Sequence, residues 1–382
     1  MSRIAIIGSS PLLLIEAIFR SSQGHQVTIF EKDGDLGGAW KNISLFEGTS
    51  EIGSHIFYQN RRAKRFLNDI LGVYVDDISP SPKFYSPETK RLYPDALWAV
   101  HLSRSERYLN MLGSRGVHAL ERASISFAKF AFRFGQNLLG REGGHFYTPT
   151  GCIGLLGALK GKIESRGIEQ RLNTKVQKVH CTPHGALLSL PSASETVMFD
   201  HVVTTYGCVA PLLIEGEDAD EVKSHNTCHI YFVLERKILD WSFKSFGIPT
   251  FAQVTAVQEL PYSTFVIRSS VMDPYSQGWR HMKGSVICAS IAMSSPHLKD
   301  VSEDEIEAHT FNELKKLNVL KETDRFLDSE LIYYQRYYRS AERVKKLRDE
   351  SFNRLTLLDA GNFSQSIAQN ETRWLEMSKQ AA

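Results

Sequence analysis

The chain has 382 residues, more than one hydrophobic core usually supports, so two domains are expected. Its content of 42% hydrophobic and 23% charged residues is that of an ordinary globular protein. Lysine and arginine number 45 against 43 acidic residues, and a net charge of +2 argues against nucleic acid as a main electrostatic partner.

The cysteines and the apolar runs limit the compartment and the class of protein. The five cysteines are scattered, odd in number and without a C-x-x-C pair, which argues against a zinc site and for a reducing compartment. The chain begins without a cleavable apolar leader, and no run approaches the roughly 18 apolar residues of a membrane span. We therefore expect a cytoplasmic protein with no membrane span and no metal site.

The first predicted unit is a strand, a tight turn, a helix and a parallel strand. Residues 4–7, IAII, are typical of a strand buried on both faces of a parallel sheet, and the apolar run stops at Gly8. Residues 12–19 predict a helix against that sheet, and residues 27–30 predict the second strand. Glu31 follows Gly8 at about the 20-residue spacing at which a carboxylate meets the ribose hydroxyls of a dinucleotide. The unit predicts an adenine dinucleotide site.

The turn after the first strand is the predicted site for a pyrophosphate. Backbone N–H groups at a helix start bind a pyrophosphate if no side chain obstructs it, and Gly8 serves that purpose. The usual G-x-G-x-x-G pattern has glycines where this chain has Ser10 and Leu13. Ser10 is small, whereas Leu13 replaces the glycine that allows close packing of helix on strand. An empty α/β unit is the alternative interpretation. The candidate cofactor-binding residues of this unit are Gly8, Ser10, Pro11, Glu31 and Lys32.

A second glycine loop follows in residues 32–41, KDGDLGGAWK. A strand that ends in Glu and continues as E-x-x-x-x-L-G-G-x-x-[RK] resembles the FAD-binding signature of the flavin amine oxidases, phytoene desaturases, protoporphyrinogen oxidases and UDP-galactopyranose mutases. The resemblance implies that the paired glycines run alongside the flavin and that the residue at Lys41, usually arginine, approaches the cofactor. Lysine keeps the charge but loses the bidentate fork. The candidate FAD-binding residues here are Gly37, Gly38, Ala39 and Trp40.

A candidate catalytic residue follows in residues 48–58, GTSEIGSHIFY. This segment resembles the G-x-H-x-F stretch of UDP-galactopyranose mutases and related flavoproteins, whose backbone passes close to the isoalloxazine ring. The imidazole of His55 could hydrogen-bond a flavin edge or titrate near neutral pH. A buried histidine bonded to a carbonyl is an equally supported alternative.

Residues 60–145 change in character. Residues 61–71 have a helical pattern, residues 79–94 contain four prolines and predict a loop or short hairpin, and residues 97–100 and 108–112 suggest further helices. Phenylalanines at helical spacing in residues 124–139 fit an amphipathic surface or, as we prefer, a core helix. The family resemblance implies an insertion that forms part of the substrate domain.

Residues 210–340 complete the predicted substrate domain. Residues 227–234, 264–269 and 285–291 predict strands, and Ser302 with Glu305 predicts a capping box. In residues 333–339, YYQRYYR, a strand would turn Tyr334 and Arg336 to the same face. Such a face could clasp a sugar, an aromatic amine or a phosphate, so both are candidate catalytic residues. A solvated sheet edge is the alternative.

Later segments resemble further parts of the FAD domain. Residues 147–159 resemble the P-x-G-G-x-x-x-L segment, with Cys152 in place of the second glycine, and residues 199–207 resemble the strand that returns beside the dinucleotide. In residues 168–179, a strand, a turn and a strand, the resemblance implies that Val176 holds the adenine end of FAD. Residues 355–374 resemble the A-G-[DE] motif and the helix after it. The candidates there are Gly361, Asn362, which replaces the acid, and Ile367.

The sequence therefore predicts an α/β flavoprotein. A Rossmann-like FAD-binding domain of residues 1–59, 146–209 and 341–382 holds an inserted α+β substrate domain of residues 60–145 and 210–340. By resemblance, the protein is an FAD-dependent oxidoreductase that oxidises a small amine, alcohol or sugar-like substrate by hydride transfer to flavin. The alternatives are a flavin-dependent nucleotide-sugar mutase and a non-catalytic binding protein with a degenerate dinucleotide site. A homodimer is left open.

Overall fold

The computed structural model describes the following parts of the chain: residues 1–40, 42–45, 48–51, 57–58, 61–78, 83–86, 91–93, 145–147, 151–191, 196–208, 213–214, 223–236, 253–260, 263–272, 286–293, 302–316, 320–359, 367 and 369–375. The helices in them are α1 Pro11–Ser22, α2 Arg61–Arg65, α3 Gly151–Ser165, α4 Glu303–Lys316, α5 Ala341–Glu350 and α6, residues 369–375. A 3₁₀ turn covers Gly38–Trp40, and α2 continues into a π-helical turn, Phe66–Ile70.

The strands, in chain order, are β1 Arg3–Ile7, β2 Gln26–Phe30, β3 Asn42–Leu45, β4 Gly48–Glu51, β5 Phe57–Tyr58, β6 Asp76–Ile78, β7 Lys83–Ser86, β8 Arg91–Tyr93, β9 His145–Tyr147, β10 Glu169–Arg171, β11 Lys178–Thr182, β12 Gly185–Ser189, β13 Thr196–Phe199, β14 His201–Thr205, β15 Gly207–Cys208, β16 Leu213–Ile214, β17 Lys223–Leu234, β18 Gln253–Leu260, β19 Ser263–Met272, β20 Val286–Met293, β21 Phe326–Tyr338 and β22 Leu355–Leu358.

A five-stranded parallel sheet forms the centre of the dinucleotide unit. Its strand order is β10-β2-β1-β14-β22, and every neighbouring pair is parallel. Numbered by their order along the chain, these strands run 3-2-1-4-5, the order of a doubly wound fold. The order reverses between β1 and β14, so the crevice at the carboxyl ends of these two strands is the expected ligand site. The predicted α/β fold class with a Rossmann-like core is confirmed.

Alternation along β1 explains why this strand is apolar throughout. Ile4 and Ile6 face a core cluster that includes side chains of α1 and α3, whereas Ala5 belongs to a second cluster. The second cluster also receives Val344 and Leu347 of α5, together with residues of the sheet β13-β12-β11-β16. The parallel sheet is thus covered on both faces by apolar side chains.

An eight-stranded sheet contains segments from both parts of the predicted substrate domain. Its order is β15-β21-β17-β20-β19-β18-β7-β8, and the hairpin β7–β8 joins through a parallel pairing with β18. Two smaller sheets, β3-β4 and β5-β9-β6, complete the described strands. Strands β7 and β8 of residues 60–145 and strands β17 to β21 of residues 210–340 therefore share one sheet. The boundaries of the two domains stay a prediction.

Several local predictions are confirmed. The strands expected at 227–234, 264–269 and 285–291 correspond to β17, β19 and β20. The capping box is formed, because the Glu305 N–H donates to Ser302 Oγ (3.2 Å) and the Ser302 N–H donates to the Glu305 carboxylate (3.0 Å). The predictions at 97–100, 108–112 and 124–139 lie outside the described residues. Within the described chain, no helix has the length and apolar character needed to cross a membrane.

Candidate functional site

The turn between β1 and α1 depends on Gly8. Its φ of +96° is a conformation that L side chains rarely adopt, and its N–H donates to the carbonyl of Phe30 in β2 (2.8 Å). A Cβ on Gly8 would come within 3.1 Å of Leu13 Cδ1. Leu13 is only 2% exposed and packs into the core, so the side chain that replaces the expected glycine is used inside the molecule.

The start of α1 leaves hydrogen-bonding groups available. Ser10 is the N-cap, with φ −58° and ψ 154°, and Pro11 begins the helix. The Ser10 side chain makes no cap hydrogen bond, and its buried Oγ has no partner among the residues that the structure describes. Helix geometry also leaves the N–H groups of the first turn without intrahelical acceptors. An orphaned hydroxyl beside a positive helix end fits a phosphate oxygen.

Glu31 is joined to the second glycine loop through Ser9. Ser9 Oγ donates a hydrogen bond to Glu31 Oε2 and accepts one from the Gly37 N–H (2.9 Å). The other carboxylate oxygen, Oε1, accepts from the Asp33 N–H (3.0 Å). Ser9 and Glu31 are 1% and 3% exposed. The carboxylate at the end of β2 is therefore held on both oxygens, and each oxygen keeps a further lone pair for a ligand hydroxyl.

The paired glycines lie against the start of α1. Gly37 has a φ of +132° and Gly38 a φ of +56°, and the Trp40 N–H closes the turn on the Gly37 carbonyl (3.0 Å). A Cβ on Gly38 would lie 3.5 Å from the backbone nitrogen of Ser10. The two glycine turns, distant in the sequence, thus meet at the carboxyl end of β1.

The remaining cofactor candidates have different surroundings. The Lys32 ammonium pairs with Asp33 (2.8 Å), and Ala39 and Trp40 are half-buried, with Trp40 packed against the core of α1 and α3. Val176 is buried in the cluster on the opposite face of the sheet, and Ile367 is fully buried.

Four residues singled out in the sequence lie outside the described residues: Lys41, His55, Gly361 and Asn362.

Tyr334 and Arg336 lie on β21, whose backbone alone is described at these positions. They pair with Thr227 and His225 of β17. The next two residues, Tyr337 and Tyr338, pair with β15, which begins two residues after β14 ends. This connection brings the end of β21 to the carboxyl edge of the parallel sheet, next to the expected ligand crevice.

An ionic network that the sequence did not suggest joins α6 to α1. Glu16 of α1 is 1% exposed and receives both terminal nitrogens of Arg373 (2.7 and 3.1 Å), together with Arg20 Nε (2.8 Å). Burial acts to raise the pKa of Glu16, but the hydrogen bonds and charges of the two arginines outweigh it and hold the pKa below its usual value. The Arg373 guanidinium also lies 3.7 Å from the centre of the Phe19 ring. This network fixes α6 on α1.

Sequence reasoning also missed Ser9. Its position between Gly8 and Ser10 was visible, but a serine in a turn carries no signal that distinguishes a buried bridge from an ordinary turn residue. Among the described residues, no group of three or more histidine, cysteine or acidic side chains could hold a metal ion.

Comparisons with known proteins agree with this geometry. Residues 6–70 match the NAD(P)-binding Rossmann-like domain family, and no curated protein matches the sequence. A proposed protoporphyrinogen oxidase from Exiguobacterium sp. 255-15 has a similar structure, with a TM-score of 0.61, 15% identity and coverage of 100% of this chain and 99% of the other. Reduced UDP-galactopyranose mutase has a TM-score of 0.62 and 12% identity, over 87% of this chain and 83% of its own.

A fatty acid isomerase from P. acnes that produces CLA is also similar, with a TM-score of 0.58, 13% identity and 98% coverage of both chains. At these identities the likeness establishes the fold. The resemblance derived from the sequence motifs is therefore confirmed as one of fold, over nearly the whole chain.

Proposed function

Since the chain has the fold of the FAD-dependent amine oxidase superfamily, we propose that it binds FAD and is an oxidoreductase. The observation that carries the proposal is the junction of Glu31, Ser9 and Gly37 over the start of α1. Three features of a dinucleotide site meet there: a carboxylate at the end of β2, a glycine turn at a helix N-terminus, and a second glycine loop.

The described residues divide the binding of FAD between them. The start of α1 would hold the pyrophosphate, because the Ser10 hydroxyl and the first-turn N–H groups are placed to donate to its oxygens. The Glu31 carboxylate accepts from the ribose hydroxyls of the adenosine half. Gly37 and Gly38, which carry no side chains, let the flavin half pass close to the loop. Val176, which follows β10, holds the adenine end through its backbone.

The reaction is proposed to be the oxidation of a small amine, alcohol or sugar-like substrate. Bound flavin supplies the hydride acceptor, and the protein supplies orientation, exclusion of water and electrostatics. His55 hydrogen-bonds the flavin edge or moves a proton, while Tyr334 and Arg336 orient the substrate. The end of β21 lies close to the carboxyl edge of the parallel sheet through its pairing with β15, which supports this assignment. The substrate domain of residues 60–145 and 210–340 is part of the same proposal.

A flavin-dependent nucleotide-sugar mutase is the second candidate. It is supported by the GSHIF segment and by the structural likeness to a protein of that activity. Such a reaction leaves the substrate at its original oxidation level, so turnover consumes no electron acceptor. Measuring product formation with and without an acceptor, in the presence of a reductant, separates the two candidates.

The first experiment is the absorbance spectrum of the purified protein, with mass spectrometry of the compound released by heat. We expect flavin bands and released FAD. If the purified protein is colourless, we expect flavin bands that stay with the protein after FAD is added and the unbound FAD is removed. Turnover of amines, alcohols or sugars with reduction of the flavin band then supports oxidoreduction. A colourless protein that does not bind added FAD would overturn the proposal and favour a non-catalytic binding protein.

A further inference from the structure

Ser9 occupies a position that bridges the two halves of the proposed FAD site. Its single hydroxyl hydrogen is directed at Glu31 Oε2, and a lone pair of the same oxygen accepts the Gly37 N–H at 2.9 Å. Both of these bonds are buried. The carboxylate and the glycine loop are therefore connected through one oxygen atom.

The chemistry of this bridge makes the two hydrogen bonds depend on each other. An ionised carboxylate polarises the serine O–H, and this increases the negative charge available to the Gly37 N–H. A ligand hydroxyl that donates to Glu31 draws on the same negative charge of the carboxylate. Its binding therefore changes how strongly Ser9 Oγ accepts the Gly37 N–H. The Asp33 N–H holds the other carboxylate oxygen at 3.0 Å, so the carboxylate cannot turn away from Ser9 without losing that bond.

We propose that Ser9 is a positioning residue that couples binding of the adenosine ribose at Glu31 to the order of the Gly37–Gly38 loop beside the flavin. The inference rests on the proposed FAD site and deepens it. Occupation of the ribose subsite then determines how firmly the flavin loop is held, through the hydroxyl of Ser9.

Hydrogen exchange at the Gly37 amide tests the coupling. ADP serves as the probe. In the wild type, the hydrogen-exchange rate of the peptide that contains Gly37 should differ about tenfold or more between the ADP-bound and the free protein, since the Gly37 amide donates a buried hydrogen bond to Ser9. In Ser9→Ala the amide loses its acceptor, so exchange is fast and ADP no longer changes it. Ser22→Ala is the matched control, because Ser22 lies at the other end of α1 and its Oγ donates to the Phe19 carbonyl (2.6 Å).

A second probe tests the same coupling without any variant. ADP whose ribose lacks both hydroxyls should bind the wild type more weakly and, at saturation, leave the exchange of Gly37 unchanged. Equal effects of ADP and its dideoxy form, or an ADP effect that survives Ser9→Ala, would overturn the coupling. Calorimetry of ADP binding separates this failure from that of the site: if ADP does not bind, the proposed function fails as well.

Discussion

The glycine and serine positions around the two turns decide whether a ligand can approach the start of α1. Gly38 and Gly167 have nearly equal left-handed φ values, +56° and +61°, but different surroundings. A Cβ on Gly38 would lie 3.5 Å from the Ser10 backbone nitrogen, whereas a Cβ on Gly167 would meet no atom within 4 Å. The two glycines therefore separate the cost of backbone strain from an effect on the site.

We predict that Gly38→Ala and Gly167→Ala each lower the free energy of unfolding by about 1 to 2 kcal/mol, since both force alanine into a left-handed conformation. Only Gly38→Ala should weaken FAD binding, by about tenfold or more, because its methyl group covers the Ser10 amide. Urea unfolding and fluorescence titration with FAD measure the two effects. A similar loss of FAD affinity in Gly167→Ala would show that strain, and not the site, is responsible.

Ser10→Ala should change the stability of the protein little but weaken its binding of FAD. The Ser10 Oγ is buried without a partner in the described part of the chain, so its removal should change the urea midpoint of the ligand-free protein little. A hydrogen bond to a charged phosphate is worth about 1.5 to 3 kcal/mol, so FAD affinity should fall at least about tenfold. Unchanged affinity in Ser10→Ala, with Ser22→Ala as control, would exclude this hydroxyl from the site.

At the scale of elements, α1 connects the proposed site to the end of the described chain. Its apolar residues pack against the parallel sheet and α3, and Glu16 holds α6 through Arg373. Trp374 of α6 packs against Phe19 and Phe66, with ring centres 6.0 and 6.2 Å apart. Glu371, which is buried, pairs with Arg65. The ionic and aromatic contacts together position α6 after the segment that contains the A-G-N motif.

Glu16→Gln should lower the free energy of unfolding by about 2 to 4 kcal/mol at pH 7, because it leaves two arginines without their shared carboxylate. The pKa of Glu16 is lowered on folding, so its contribution is present above the ordinary value of 4.5 and is lost as the pH falls through the folded value. The difference between wild type and variant should therefore shrink below about pH 4.5. Urea unfolding at several pH values measures it.

Glu350→Gln is the matched control for this prediction. Glu350 pairs with Lys346 at 3.9 Å, and both side chains are more than half exposed. Exposed pairs of this kind contribute about 0 to 1 kcal/mol, so the control should unfold almost as the wild type does. A Glu16→Gln variant as stable as this control at pH 7 would contradict the role assigned to the buried network.

At the scale of the whole molecule, the chain passes repeatedly between the parallel sheet and the eight-stranded sheet. It leaves the parallel sheet after β2, returns at β10, leaves again after β14 and returns at β22. β15 begins two residues after β14 ends and pairs with β21 at the edge of the eight-stranded sheet, so the chain passes directly from one sheet to the other there. Neither sheet can form completely from one continuous segment, so we expect their folding to be coupled.

We predict one thermal transition by far-UV circular dichroism, and an increase of its midpoint with FAD concentration. At 100 times the dissociation constant, FAD should add about 2.7 kcal/mol of stability, which raises the midpoint of a chain of this size by a few degrees. Two transitions, of which FAD shifts only one, would show that the sheets unfold independently.

The sequence by itself determined the features that depend on neighbouring residues. The strand, turn, helix and strand of residues 3–30, the paired glycines and the capping box at Ser302 were all predicted, because periodicity, glycine conformation and helix capping act over a few residues. These local motifs also carried the resemblance that the fold comparisons confirmed.

Only the tertiary structure decided how distant residues meet. The strand order brings β10 and β22 beside the first unit, Ser9 joins Glu31 to Gly37, and Glu16 binds Arg373, which lies 357 positions further along the chain. Such contacts leave no periodic pattern in the sequence, because loop closure and packing select them after the local elements have formed. The physical connection between the carboxylate and the glycine loop therefore belongs to the fold and not to any single motif.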